Sequence, residues 1–521
     1  MQFCSALLEQ EFRALGLDMA AAKCEVVPTA GSNSTASQAM FPGWQWKQDG
    51  CFQLLGSPFG SVDFCNAQTA ERGLKAEALL EELGNYDHKQ GALLLLRYCA
   101  SWGKLVYSAR TAPPALHRAA LTKFELALRR ALEHLVGDLL PDRCWSLAQL
   151  SLVHGGLGIR SPARHAPAAH LASLSQTANL CNRIDPSFEA ADASQGLQRA
   201  ACEEELRAQV LEAVSWDRGG CVLSQKELSA MVDAAAKAAL LEQESHDAAF
   251  RAHVALSCLP GAAVWLTAPP ADDGRELDTP LFRVALKRRL RVPVYAADDF
   301  CPCCGQVRDK WGDHALTCSC NGERTIRHNA LRDICFHEAS ECGQQPEREK
   351  AGLLPTRPEA DGAPCRPLVN GRRPADVWLP RGASGGAEAL DFAVTSGMRS
   401  DLFRASAEAP HLAFEQYDRF KRRYGQTEQL CTTAGFRFVP VVFEAHAGGW
   451  SPMARGLFDW LAREAAARHN EDAGSVSLRI AQRISVALHR ENARAILFRD
   501  AEPEPQASPA GGWDGVFREG V

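Results

Sequence analysis

The sequence predicts a multidomain protein whose N-terminal half is mainly α-helical and whose C-terminal part is α/β. The length of 521 residues exceeds what a single hydrophobic core organises. Apolar residues before about residue 280 recur at helical spacing, whereas short β-like runs alternate with helices after Pro293. The hydrophobic fraction of 46% and the charged fraction of 23% are typical of globular domains, so we expect most of the chain to fold.

Composition and apolar spacing divide the chain into five regions. Residues 1–60 combine a short helix with strand-like pieces, and residues 61–280 are a helical region that ends in a linker. Residues 281–330 hold a basic helix and a Cys/His cluster. Residues 331–500 alternate strands and helices, and residues 501–521, which are rich in Pro, Glu and Gly, predict a disordered tail.

Charge and hydropathy exclude some functional classes. No apolar stretch is long enough to span a bilayer and no secretory leader follows Met1, so we expect the cytosol or the nucleus. The net charge of -6 argues against a protein that coats nucleic acid indiscriminately, although Lys287–Arg289 and Lys421–Arg423 predict local basic surfaces. Most of the 19 cysteines are scattered singly, as in a reducing compartment.

Five cysteines crowd between Cys301 and Cys320 and predict a metal site. We assign the ligands of one tetrahedral zinc ion to a Cys-x2-Cys pair and the next His and Cys in the chain: Cys301, Cys304, His314 and Cys318. Cys303, Cys320 and His328 are alternative ligands. Four protein ligands leave no open position for water, so this zinc would stabilise the fold. The competing interpretation is a small core filled by reduced cysteines.

A pair of aspartates predicts a second metal site. Asp391 lies in the β-like run Leu390–Val394, on the opposite face from its apolar neighbours. If the preceding turn is symmetric about Ala383 and Ser384, Asp376 lies opposite Asp391. Two facing carboxylates favour a bridging cation such as Mg²⁺ or Mn²⁺. The alternative is a pair of solvated carboxylates on an edge hairpin.

A helix of about residues 408–424 follows, and its apolar stripe contains Ala413, Tyr417, Phe420 and Tyr424. Lys421 lies beside this stripe and is placed to reach inward, where it would orient water or neutralise charge on a phosphate. Equally, Lys421 fits a solvated basic face with Arg419, Arg422 and Arg423. These arginines suit DNA phosphates in either case.

The ordered set Arg372 to Asp376, Leu390 to Ala393 and Lys421 resembles the PD-(D/E)xK nuclease pattern, in the form found in the restriction-enzyme-like endonuclease of site-specific non-LTR retrotransposons. In that family a Cys-Cys-His-Cys zinc knuckle precedes the nuclease, and here the four proposed zinc ligands and then Arg327-His328-Asn329 stand in that order. The sequence departs from the simple nuclease pattern at Ala393, where a lysine often stands. The resemblance to the retrotransposon endonucleases implies that Lys421 takes the role of that lysine.

The resemblance implies a nucleus-directed endonuclease that nicks DNA, with the element's RNA as a further partner. It implies Mg²⁺ or Mn²⁺ on Asp376 and Asp391, with Lys421 as the electrostatic helper, and Glu338 or Glu349 as a further carboxylate. The residues expected at nucleic acid are Arg327, His328, Arg372, Arg373, Arg422 and Arg423.

The N-terminal part resembles the end of a reverse transcriptase of the same elements. Residues 16–24 resemble the end of the palm, residues 52–56 the primer-grip hairpin, and residues 95–99 and 154–160 the thumb region. The clustered aspartates that polymerase chemistry needs would precede residue 1, so we predict no reverse transcription by this chain alone. A nucleic-acid-binding zinc module with an idle nuclease, and an inactive remnant of an element, are the alternative functions.

Overall fold

The computed structural model describes residues 2–28, 41, 43–184, 186, 193–210, 217–218, 221–222, 224–354 and 374–500. The chain divides between His246 and Asp247 into two compact units. Both the predicted tail of residues 501–521 and the loop that carries Arg372 and Arg373 lie outside the described residues. Among the described helices, none is both long enough and apolar enough to cross a membrane.

The N-terminal unit is mainly helical, as the sequence predicts. Its described α-helices are α1 (Gln2–Ala14), α2 (Val62–Asn85), α3 (Lys89–Leu95), α4 (Val106–Thr111), α5 (Arg118–Val136), α6 (Asp142–Gln149), α7 (Pro162–Ile184), α8 (Ala193–Gln209) and α9 (Gln225–Gln243). A π-helical turn, Leu96–Ala100, follows α3, and single 3-10 turns occur at Ala21–Lys23, Trp102–Lys104, Pro114–Leu116 and Leu152–His154. Three strand pairs complete the unit: β1 (Glu25–Val26) with β2 (Gln45–Trp46), β3 (Phe52–Leu54) with β4 (Ser57–Phe59), and β5 (Asp217–Arg218) with β6 (Cys221–Val222).

Helix α5 shows how a long helix of this unit buries one apolar stripe. In α5 the residues Leu121, Phe124, Leu128 and Leu132 recur every three or four positions and are almost fully buried. Helix α5 ends at Gly137, whose positive φ of 76° lets its N–H bond the Glu133 carbonyl.

The C-terminal unit contains nine described α-helices and six strands. The helices are α10 (Ala248–Ser257), α11 (Thr279–Arg289), α12 (Asp313–Thr317), α13 (Glu323–Glu341), α14 (Phe403–Glu408), α15 (Leu412–Arg423), α16 (Thr427–Thr433), α17 (Pro452–His469) and α18 (Ala473–Phe498). The strands are β7 (Asp299–Phe300), β8 (Val307–Arg308), β9 (Glu347–Arg348), β10 (Val377–Leu379), β11 (Glu388–Thr395) and β12 (Arg437–Glu444). Short 3-10 turns lie at Val264–Thr267, Cys320–Gly322 and Tyr424–Gln426.

A four-stranded mixed sheet in the order β12-β11-β10-β9 forms the centre of this unit. Strands β9, β10 and β11 are antiparallel neighbours, whereas β12 runs parallel to β11. Strand β12 is buried at seven of its eight positions because helices cover both faces of the sheet. The two faces of β11 alternate: Leu390 and Phe392 pack with α13, α17 and α18, and Ala393 packs with α10 and the segment around α15.

Two differences from the sequence-based division concern residues 247–330. Residues 247–280, expected with the helical region, belong to the C-terminal unit, because Leu256 and Ala262 share a core with Val442 of β12. The expected basic surface at Lys287–Arg289 is largely absent, because Arg288 and Arg289 are buried. Arg288 donates to the Trp311 carbonyl at 2.7 Å, and Arg289 donates to a carbonyl of α10 at 3.1 Å. Both guanidinium groups therefore hold the unit together.

Candidate active site and candidate metal centre

The Cys/His segment begins with a short hairpin that presents two of its cysteines. Strands β7 and β8 pair in antiparallel, and the turn between them carries Cys301 and Cys304. The Cys301 N–H donates to the Gln306 carbonyl at 2.7 Å, and the Gly305 N–H donates to the Cys301 carbonyl at 2.9 Å. Gly305 adopts a positive φ of 71°, which a residue without Cβ tolerates easily. This tight turn directs both thiols to the same side.

The short helix α12 supplies the other two candidate ligands. His314 lies in its first turn, and Cys318 follows its last residue. The Asp309 carboxylate caps the start of the helix by accepting hydrogen bonds from the N–H groups of Asp313, at 3.0 Å, and His314, at 2.7 Å. The capped helix therefore holds the His314 imidazole close to the cysteine thiols of the hairpin.

Cys301, Cys304, His314 and Cys318 form a group that could hold a metal ion, because one ligand atom of each lies within 4.8 Å of all the others. Cys304 Sγ is 3.2 Å from His314 Nε2. Burial raises the pKa of the Cys301 thiol, but the N–H groups of Cys303 and Cys304 outweigh burial and lower that pKa to about 6. A thiolate is the form that binds metal, so the residues fit the four-ligand site expected from the sequence.

The two aspartates of the predicted pair lie side by side. The register pairs Val377 with Leu390 and Leu379 with Glu388, and its continuation places Asp376 opposite Asp391. The predicted hairpin symmetry therefore holds, although Asp376 lies one residue before β10 and not within it. The Asp376 N–H donates to the Leu390 carbonyl at 2.8 Å, and Asp376 Oδ2 accepts a hydrogen bond from the Phe392 N–H at 2.6 Å.

Asp391 and Lys421 form an ion pair on the face of β11 that α15 covers. Lys421 Nζ donates to Asp391 Oδ1 at 3.1 Å and lies 2.9 Å from Oδ2. Both Asp391 oxygens therefore contact the Lys421 ammonium group, although only the contact with Oδ1 is directed as a hydrogen bond. Burial raises the pKa of Asp391 to about 6; Lys421 acts against this rise, and the neighbouring Asp376 adds to it.

The pKa of Lys421 is raised. Burial acts to lower it, but the Asp391 carboxylate outweighs burial, with a further contribution from Asp376. The ammonium group is therefore charged at neutral pH even though it is half-buried. Lys421 lowers the pKa of Asp391 and Asp376 raises it, so the protonation of Asp391 depends on both neighbours.

These groups open into a cleft of about 470 Å³ between α13, α15 and the sheet. Its lining residues include Asp376, Asp391, Lys421, His328, Asn329, Arg324, Thr325, Glu349 and Tyr417. His328 projects from α13 and places Nε2 3.3 Å from Asp376 Oδ1. Of the two further carboxylates considered from the sequence, Glu349 lines the cleft with a strained φ of 47°, whereas Glu338 is buried elsewhere against Arg483.

The residues expected at nucleic acid are not equivalent in the structure. Arg327 is buried and donates to Asn492 Oδ1 at 2.8 Å and to the Leu316 carbonyl at 2.9 Å. Burial lowers the pKa of Arg327 to about 10. This guanidinium connects the Cys/His segment to α18, and Arg327 is also one of the residues that line the cleft. Arg422 pairs with Asp418 at 2.7 Å and with Glu428, whereas Arg423 is exposed.

The contact of His328 with Asp376 is a feature of the cleft that sequence reasoning did not anticipate. The cysteine segment made His328 an alternative zinc ligand and the resemblance made it a DNA contact, whereas the structure places it in the cleft beside Asp376. Its position five residues into α13 gives no local signal, because only the packing of α13 across the sheet brings it to the cleft. The sequence matches no protein-family model, and no curated protein is significantly similar to it.

Proposed function

We propose that the C-terminal unit is a metal-dependent DNA endonuclease of the restriction-enzyme-like PD-(D/E)xK kind, which nicks a target site for a non-LTR retrotransposon. One observation carries the proposal. Asp376, Asp391 and Lys421, which come from the approach to β10, from β11 and from α15, meet in one open cleft. A lysine beside paired carboxylates is the set of groups that metal-assisted phosphodiester hydrolysis uses.

The carboxylate pair fits a divalent cation such as Mg²⁺ or Mn²⁺. Asp376 and Asp391 would hold it, because both carboxylates line the same cleft and carboxylate oxygens are the ligands that these ions prefer. When bound, such an ion activates water and neutralises charge on the phosphate. Glu349, at the rim of the same cleft, is the carboxylate best placed to assist.

The chain's own residues contribute charge and orientation. Lys421 fixes a positive charge at the cleft, which stabilises the negative charge that grows on the scissile phosphate. His328 acts on Asp376, because its ring nitrogen lies 3.3 Å from Oδ1 and restricts the rotation of that carboxylate. The Phe392 N–H fixes the other oxygen of Asp376. The aspartate is thus held before any ligand arrives.

The Cys/His group would be a structural zinc centre that stabilises the unit containing the cleft. Its four ligands leave no open coordination position, so it would supply folding energy and not catalysis. Arg327 and Arg499 connect it to the rest of the unit. Arg327 bridges Leu316 and α18, and the fully buried Arg499 pairs with Glu323 at the start of α13 at 3.3 Å. Loss of zinc would therefore disturb the helix that carries His328.

The experiment is nicking of supercoiled plasmid in Mg²⁺ by the zinc-loaded chain, with Asp376→Asn and Asp391→Asn compared with Asp401→Asn. Asp401 is an exposed carboxylate in the same unit that pairs only with Arg399 in the described structure. We expect loss of nicking in the first two variants and wild-type nicking in the third. If the folded wild type binds DNA without cutting it, the unit is a binding module with an idle nuclease.

A further inference from the structure

Three aromatic rings follow one another along α15, which carries Lys421, and the turn after it. Tyr417 and Phe420 belong to α15, and Tyr424 is the residue at which the helix ends. Their ring centroids are 6.0 Å apart between Tyr417 and Phe420, and 5.2 Å apart between Phe420 and Tyr424. The sequence pattern predicts that these rings face the core. Ala413 and Phe414 are buried in the core and the partly buried Tyr417 packs against it, while Phe420 is 53% exposed and Tyr424 is 48% exposed.

This aromatic row is continuous with the cleft. Tyr417 lines the cleft together with Asp391, and Lys421 Nζ lies 5.8 Å from the centre of its ring. From there the row leads outward to Phe420 and then to Tyr424. A nucleic-acid strand with one phosphate at Lys421 would therefore place the bases of the neighbouring nucleotides close to these aromatic rings.

The charges around the row favour a polyanion over an apolar protein partner. Helix α15 has four basic residues (Arg419, Lys421, Arg422 and Arg423) and two acidic ones (Glu415 and Asp418). Three of the four basic side chains form ion pairs with carboxylates: Arg419, Lys421 and Arg422. Arg423, next to Tyr424, is exposed. Basic side chains interleaved with aromatic rings are the pattern by which proteins hold single-stranded nucleic acid, since every base has a face that stacks.

We infer that Tyr417, Phe420 and Tyr424 stack on unpaired bases next to the scissile phosphate, so that the preferred substrate is DNA whose strands are separated at the cut. This inference rests on the proposed function and names its substrate class. In a paired duplex the base faces are occupied by neighbouring bases, so the row gains contacts only where a base leaves the stack. A paired duplex is still cut, but more slowly.

The test compares single-turnover cleavage of a fully paired duplex with that of the same sequence carrying a short unpaired bubble at the cut. Stacking stabilises a bound base enough that we expect the bubble to be cut about 10-fold faster. Phe420→Ala and Tyr424→Ala bring the ratio of the two rates towards one, whereas Phe420→Trp preserves it. Leu478→Ala, which truncates an exposed apolar side chain of α18, leaves the ratio unchanged.

A second measurement keeps this inference separate from catalysis. In Ca²⁺, we expect a single-stranded oligonucleotide containing 2-aminopurine to lose fluorescence on binding the wild type but not on binding Phe420→Ala. If no DNA is cut yet the fluorescence is lost, the proposed nuclease fails and the stacking surface stands. If duplex and bubble are cut at equal rates, and Phe420→Ala changes neither the rate ratio nor the fluorescence, the stacking surface is refuted.

Discussion

The candidate metal centre and the candidate active site lie in the same unit but are built in opposite ways. The four Cys/His ligands fall within 18 residues of chain, and a hairpin turn and one short helix bring them together. The cleft residues come from separate elements between Ser319 and Lys421, and only the folded sheet unites them. The first site is a closed group of three cysteines and one histidine, whereas the second opens into a cleft of about 470 Å³.

Under the proposed function, this contrast separates a site that serves folding from one that serves chemistry. A closed tetrahedral set of ligands leaves no coordination position for a substrate. The open cleft keeps two carboxylates close together, and such groups are enriched at functional sites. The first two substitutions below each alter one site, and the properties of the other site serve as the control.

The largest effect is expected from loss of a ligand in the closed site. Structural zinc contributes about 10 kcal/mol or more to small zinc-dependent folds. We therefore expect Cys318→Ser to abolish zinc binding, measured by metal analysis of the purified chain, and to lower the unfolding midpoint. Cys303→Ser and Cys320→Ser are the matched controls, because both cysteines lie in the same segment but outside the ligand group. Equal zinc loss in all three variants would contradict the assignment.

The next effect comes from removing the ammonium group of the open site. Lys421→Met is expected to slow nicking about 100-fold, because the fixed charge that stabilises the phosphate is lost. It should leave zinc content unchanged, since the closed site does not use Lys421. Arg455→Met, an exposed change on α17, provides the control. A variant that loses zinc together with activity would show that the two sites are not independent.

A smaller effect concerns the acid stability of the unit that contains both sites. Burial lowers the pKa of His489 from 6.5 to about 3, with Arg289 and Arg288 adding to this shift. The unfolded chain therefore takes up a proton below pH 6.5 that the folded chain refuses, and stability falls as the pH decreases from 6.5 towards 3. At pH 5 the loss from this residue is about 2 kcal/mol.

Urea unfolding at pH 7 and pH 5, with zinc content checked at both, measures this loss. His489→Gln should lose less stability than the wild type over that interval. An unchanged pH dependence in the variant would show that His489 is not the group responsible.

The sequence predicts local features of both sites well. Symmetry about Ala383 and Ser384 predicts the register that sets Asp376 opposite Asp391, because hairpin pairing is fixed by the turn. The four Cys/His ligands also follow from local spacing. The mainly helical N-terminal unit follows from apolar periodicity.

Features that depend on packing between distant segments are not accessible in this way. Arg288 and Arg289 fit a basic surface in the sequence but are buried, because their partners, among them the Trp311 and Ser257 carbonyls, come from other segments of the chain. The apolar stripe of Tyr417, Phe420 and Tyr424 predicts burial, but Phe420 and Tyr424 are exposed. Helical periodicity alone cannot show which part of an apolar stripe is covered by other elements. His328 reaches Asp376 for the same reason.

The most direct test of the two-site account is plasmid nicking by the zinc-loaded chain in the presence and absence of Mg²⁺, with zinc measured in both samples. The account predicts nicked circles only with added Mg²⁺, at the same zinc content throughout. Nicking that does not depend on Mg²⁺, or none from a folded and zinc-loaded chain, would contradict a catalytic metal site at Asp376 and Asp391.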